Sequence, residues 1–211
     1  MKYFTSVVLL TLIPLLMQAQ ATKNDLTGEY YLQGVMETAS GFKLNADSTF
    51  DFFFSYGALD RYGKGTWTVN DKKIVFNSKP KPARDFTLRT SKAATGKTTT
   101  IKMVDINPAL AAYIDCSVKS NGTSLVEPIA RNGEISFPLT SIDTILLQLQ
   151  FCPEKISVFP VADKKHTYFE FTFEPWIFEY FFENFSLSIE KDELKGMHPM
   201  LTGNEYHFVK N

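Results

Sequence analysis

Hydrophobic positions recur at every second residue along most of this chain. In Phe50-Asp51-Phe52-Phe53-Phe54-Ser55-Tyr56, the rings of Phe50, Phe52, Phe54 and Tyr56 share one face of an extended strand, while Asp51, Phe53 and Ser55 take the other. Trp67 with Val69 and Ile74 with Phe76 repeat the pattern, separated by the polar turn Asn70-Asp71. A first strand is expected between Gly28 and Gly34, a second around Phe42-Lys43-Leu44, and a sixth over 85–89. Beyond the small, polar stretch 91–100, strands are expected at 101–104, 112–118, 134–139, 144–152 and 155–161, with turns at Ile106-Asn107-Pro108, Ser120-Asn121-Gly122 and Arg131-Asn132-Gly133. The pattern predicts an all-β protein of two lobes, an antiparallel meander and a small sandwich.

Two stretches carry more specific information. Ser78-Lys79-Pro80-Lys81-Pro82 holds two prolines that cannot donate to a ladder, and reads as an edge or a crossing loop. Residues 168–185 place ten aromatics in eighteen positions. As strands, Phe169, Phe171 and Phe173 share a face, Pro175 resets the phase, and Trp176, Phe178, Tyr180 and Phe182 share the next. As a helix starting at Pro175, Glu179 and Glu183 would form one exposed stripe. Strands are the better reading of 174–184, because aromatics dominate and no Ala, Leu or Lys lies between Pro175 and Asn184.

The first residues read as an export signal rather than as fold. Lys2, the apolar run Val7 to Leu16 and Ala19-Gln20-Ala21 have the order of a cleavable signal peptide over 1–21, which places the mature protein in a periplasm or outside the cell. No later run is long and apolar enough to span a bilayer, so no transmembrane segment is expected in the mature chain. With 22 Lys and Arg against 23 Asp and Glu, the charge balance points to no nucleic-acid partner. Locally it is uneven: nine basic residues between Asp71 and Lys102 face only Asp71 and Asp85, and 163–193 carries eight acids and three lysines. These are two solvated faces, faces that meet within the molecule, or a basic patch for an anionic polymer or headgroup.

Two resemblances follow from the words on these strands. Gly28-Glu29-Tyr30, Asp47-Ser48-Thr49-Phe50, Gly65-Thr66-Trp67 and Ile74-Val75-Phe76 resemble the hairpins of lipocalin-like envelope proteins. Ile101-Lys102-Met103-Val104-Asp105, Val118-Lys119-Ser120-Asn121-Gly122 and Asn132-Gly133-Glu134-Ile135-Ser136-Phe137-Pro138 resemble the prealbumin-like domain that accompanies carboxypeptidases, an accessory without catalytic residues. With Gly34–Thr38 and Ser55–Asp60, the whole resembles uncharacterised secreted proteins of the Gram-negative envelope. The resemblances imply a lipocalin-like meander over 22–92, a prealbumin-like sandwich over 96–163, and aromatic-rich strands over 164–211 that return to cover the open edge of the first lobe.

Candidate chemistry is sparse. Cys116 and Cys152 are either a disulfide, as an even pair in an oxidising compartment permits, or two separate thiols. His166, His198 and His207 lack zinc-ligand spacing, so no metal or other cofactor is expected. Asp47 with Asp51, or Glu170 with Glu174, could face each other as a hydrolase pair, but alternate acids on a strand usually mark its wet face. No nucleophile elbow, phosphate loop or C-x-x-C occurs. The expectation is a non-catalytic binding or structural module of the envelope, its partner an envelope protein, a polymer or a small apolar ligand. A carrier is the alternative, with a lipocalin-like cup lined by Phe52, Phe54, Tyr56 and Trp67; a hydrolase is the next.

Overall fold

The two prolines at 80 and 82 divide the strands, because a residue without an N–H cannot extend a ladder. Before them, a one-turn helix α1 (Lys23–Leu26) leads into β1 (Gly28–Gln33), β2 (Thr38–Leu44), β3 (Thr49–Tyr56), β4 (Leu59–Asn70) and β5 (Lys73–Asn77), joined as successive antiparallel hairpins. After them come β6 (Phe86–Lys92), β7 (Thr99–Met103), the turn of helix α2 (Pro108–Ala111), β8 (Ile114–Ser120), β9 (Thr123–Pro128), β10 (Glu134–Phe137), β11 (Thr144–Leu149), β12 (Ser157–Pro160) and β13 (Tyr168–Phe173). The chain then crosses back through 174–184 into β14 (Phe185–Glu190), β15 (Glu193–Gly196) and β16 (Tyr206–Lys210). This computed structural model describes residues 23–203 and 205–211, so the expected signal over 1–21 lies outside the described residues.

Strands β1 to β5 do not make a complete lobe. β14 pairs with β5 and β16 with β1, closing an eight-stranded antiparallel barrel in the order β1-β16-β15-β14-β5-β4-β3-β2. The barrel is compatible with a lipocalin-like fold, and closure removes the open edges that five strands would leave. Everything from β6 to β13 is an insertion, folded as two four-stranded sheets, β10-β7-β13-β6 and β12-β11-β8-β9. They pack over Ile101, Ile114, Val118, Ile145, Leu147 and Phe171.

Several expectations are corrected here. β6, grouped above with the meander, pairs with β13 in the sandwich, and Phe86 and Phe171 both enter its core. The stretch 91–100 is therefore a connection within one sheet, and the true crossings are 78–85 and 174–184. The latter is neither helix nor regular strand: Pro175 opens a turn, and one isolated bridge joins Glu179 to Tyr62. β9 and β15 have no counterpart in the sequence reading, since neither alternates cleanly. Cys116 and Cys152 are separate buried thiols. Cys116 lies opposite Leu147, whereas β11 ends at Leu149 and a turn swings Cys152 inward to donate to the Ile177 carbonyl at 3.2 Å. Burial raises both thiols, Cys116 to about 12 and Cys152 to about 11, which keeps them protonated and unreactive.

Candidate binding groove

The expected cup is occupied by the protein's own rings. Phe52, Phe54 and Trp67 are buried in the barrel as their alternation requires, but Tyr56 ends β3 at the rim and is exposed. Phe182, delivered by the 174–184 crossing, stands among Phe42, Phe50, Phe52 and Phe76 with ring centroids 5.2–6.2 Å apart. Gly63 makes room for it: a Cβ there would come within 2.7 Å of the Phe182 ring and 2.8 Å of the Tyr180 carbonyl. Phe52, Phe54 and Trp67 belong to one packed core cluster, and Tyr56 lies outside it. Phe54 packs beside the His198 ring, tilted with centroids 5.5 Å apart, and Trp67 donates its indole N–H to the Asn45 carbonyl.

The candidate catalytic groups are each held in local hydrogen bonds. Asp47 accepts from the backbone and hydroxyl of Thr49 in a turn, and Asp51 is near Asn45 at 3.4 Å. Glu170 accepts from the Tyr168 hydroxyl, and Glu174 from the Thr87 hydroxyl. His198 touches Ser40 at 3.0 Å, yet its Nδ1 accepts two backbone N–H bonds, from Met200 and Leu201. Its proton therefore sits on Nε2, pointing at the Ser40 oxygen, and Ser40 donates its own hydrogen to the Phe53 carbonyl. An imidazole in that tautomer cannot withdraw a proton from Ser40. His166 and His207 bond to Ser91 and Glu193 at the surface. Among the described residues no cluster of three metal-type ligands forms.

Part of the uneven charge meets opposite charge within the molecule. On the outer face of the β10-β7-β13-β6 sheet, Lys102 lies between Glu134 and Glu170. At the junction of the lobes, Arg61 is 3 % exposed and donates to the Phe178 carbonyl and to Glu154 at 2.5 Å. Burial pushes the Glu154 carboxyl up, but the Arg61 hydrogen bond and charge outweigh it and hold it below the usual range. Lys79 reaches the buried Glu179 at 3.9 Å.

A groove lies on the outside of the sandwich. β6 and β12 are edge strands of their two sheets, and they lie on the same side of the sandwich. The Asp85 N–H donates to the Ser157 hydroxyl at 2.7 Å, and the buried Lys155 meets Asp85 at 3.4 Å, tying the two edges at one end. Beyond this tie they diverge around a groove of about 520 Å³, bounded by Phe86, Thr87 and Leu88 on one side and Phe159 and Pro160 on the other. Trp176 and Glu174 from the crossing close its end, and Arg84 caps it. The Arg84 guanidinium lies 4.6 Å from the Phe159 ring centre while its carbonyl accepts the Trp176 indole N–H at 3.1 Å. The sequence reading used Glu174 only as half of a carboxylate pair, Arg84 as one of a basic run and Trp176 as core; the signal available for the groove was the proline-bearing segment before β6. Together these elements define a closed eight-stranded β-barrel carrying an inserted pair of four-stranded sheets, with a groove between two of the sheet edges. The chain matches no family model, no curated protein and no solved structure.

Proposed function

We propose that this chain is a non-catalytic binding module of the cell envelope, exported by its N-terminal leader, with the groove between β6 and β12 as its binding surface. One contrast carries the reading: both cores are packed with the protein's own side chains, while the outer sides of the two sheet edges flanking the groove pair with no strand among the described residues. The closed eight-stranded barrel supports the resemblance to lipocalin-like envelope proteins, and the insertion supports an accessory domain of the prealbumin-like kind. The polar side chains support a non-catalytic role, since both His198 nitrogens and the buried Arg61 and Lys155 are committed to internal partners. A carrier is less well supported, because Phe182 stands where an apolar ligand would lie.

The test uses protein recovered from its own host, wild type beside Leu88→Arg, a change at a side chain 39 % exposed on the groove wall. Wild type should retain a macromolecule of the envelope fraction that Leu88→Arg loses, with circular dichroism unchanged. Equal retention by both, or a small apolar molecule retained in the native mass spectrum, would overturn the reading.

A further inference from the structure

We infer that the occupant of this groove is an extended, acidic peptide segment of a partner protein, added as a strand along the first half of β6; this rests on the groove being the binding surface. Three observations converge. The first is the edge itself. β6 bonds to β13 on one side only, and its outer side at Phe86-Thr87-Leu88 faces the groove with an exposed leucine. Natural edges are usually blunted by charge or by a bulge. The second half of β6 has both, in Arg89, Lys92 and the register shift opposite Glu170 and Phe171, whereas 86–88 has neither. A chain in strand conformation satisfies such an edge through its backbone and places alternate side chains in the groove.

The second observation is the state of the aromatic rings. A sugar polymer needs an open ring face to stack on. Phe159 lies under the Arg84 guanidinium and Phe86 is buried in the core, which leaves the half-buried Trp176 at one end as the remaining lining ring. The groove offers apolar walls rather than a row of stacking faces.

The third is charge. With Asp85 paired to Lys155, Glu154 to Arg61 and Glu179 near Lys79, the groove lining sets Arg84 against the carboxylate of Glu174, and the chain flanking the lining adds the exposed Lys81 and Arg89. Glu174 already accepts the Thr87 hydroxyl, and Lys81 donates to the Glu154 carbonyl. The surplus is positive, which favours acidic side chains on the incoming strand, and guanidinium groups can take carboxylates bidentately.

The experiment is fluorescence anisotropy on the folded chain with a labelled heptapeptide, Thr-Glu-Val-Asp-Val-Glu-Thr. The comparisons are its counterpart with lysine for each acid, its form N-methylated at alternate backbone nitrogens, and alginate as an acidic polysaccharide. The acidic peptide should bind, and more weakly as salt rises. The lysine and N-methylated forms should each bind about tenfold or more weaker, and Leu88→Glu and Arg84→Glu should each reduce affinity by at least about tenfold, a factor equivalent to about 1.4 kcal/mol. Because Arg84 packs on Phe159, Arg89→Glu serves as the charge variant should Arg84→Glu fail to fold by circular dichroism. Equal binding of the N-methylated peptide would show charge attraction without strand addition and overturn the inference. Binding of alginate in place of the peptide, or no peptide binding while the wild-type chain still retains its host partner, would overturn it and leave the binding-module reading standing.

Discussion

His198 occupies a place where a charge has no partner. It is 4 % exposed, ringed by Phe52, Phe54, Phe208 and Tyr206, and both nitrogens are used by Ser40 and the backbone of Met200 and Leu201. Burial lowers its folded pKa from 6.5 to about 4. The unfolded chain therefore binds a proton between those values that the folded chain does not, so stability is complete above pH 6.5 and falls as the pH drops towards 4. Its size is on the order of 3 kcal/mol, from about 1.4 kcal/mol per unit. Urea unfolding at pH 7, 5.5 and 4 should show the gap between wild type and His198→Gln shrinking by that order as the pH falls; parallel curves would refute the assignment. Nothing in the sequence marks this residue as core. It lies between Met197 and Pro199 in a stretch with no period, and it is buried because a loop folds back into the barrel mouth. Gly65 is similar: a Cβ there would press into the Asn77 carbonyl, a close approach of β4 and β5 that no local pattern signals.

Among the elements, alternation located most strands, because one buried face imposes a period of two wherever a strand covers a core. It failed where a segment serves two cores. Residues 174–184 carry aromatics at nearly every step because Ile177 and Phe178 pack into the sandwich while Tyr180 and Phe182 pack into the barrel, so neither period could emerge. The same crossing explains the ion pair beneath the groove. Lys155 Nζ reaches Asp85 and the carbonyls of Trp176 and Ile177, holding β6, β12 and the crossing together. Burial raises the Asp85 carboxyl and lowers the Lys155 amine, each offset only in part by the other, so both charges are held at a desolvation cost. Asp85→Leu or Lys155→Met alone should cost about 3–5 kcal/mol by stranding the partner, whereas Asp85→Leu with Lys155→Met should regain most of it. Additive losses in that double-mutant cycle, read from denaturant midpoints, would show that the pair does not act as a unit.

At the scale of the whole molecule, the return of the C-terminal strands could be argued from an unfinished sheet, but the depth of the entanglement could not. The barrel closes only through strands reached after the sandwich, and its central ring, Phe182, sits on the same crossing as Ile177 in the sandwich core. Arg61 adds a buried guanidinium from β4 to carbonyls at Phe178 and Phe151. Loss of either lobe should therefore unseat the other, and the two lobes should unfold together. The chain has two tryptophans: Trp67 is in the barrel, and Trp176 is on the crossing beside the groove. Trp176→Phe leaves a reporter of the barrel, and Trp67→Phe one of the crossing and sandwich. In each background Ile145→Ala opens a cavity in the sandwich core, worth roughly 2–5 kcal/mol. If the lobes form one cooperative unit, the Trp67 transition shifts to lower denaturant by the same free energy as the Trp176 transition, with coincident curves before and after the change. A Trp67 midpoint that stays in place while the Trp176 midpoint moves would mean the barrel stands without the sandwich.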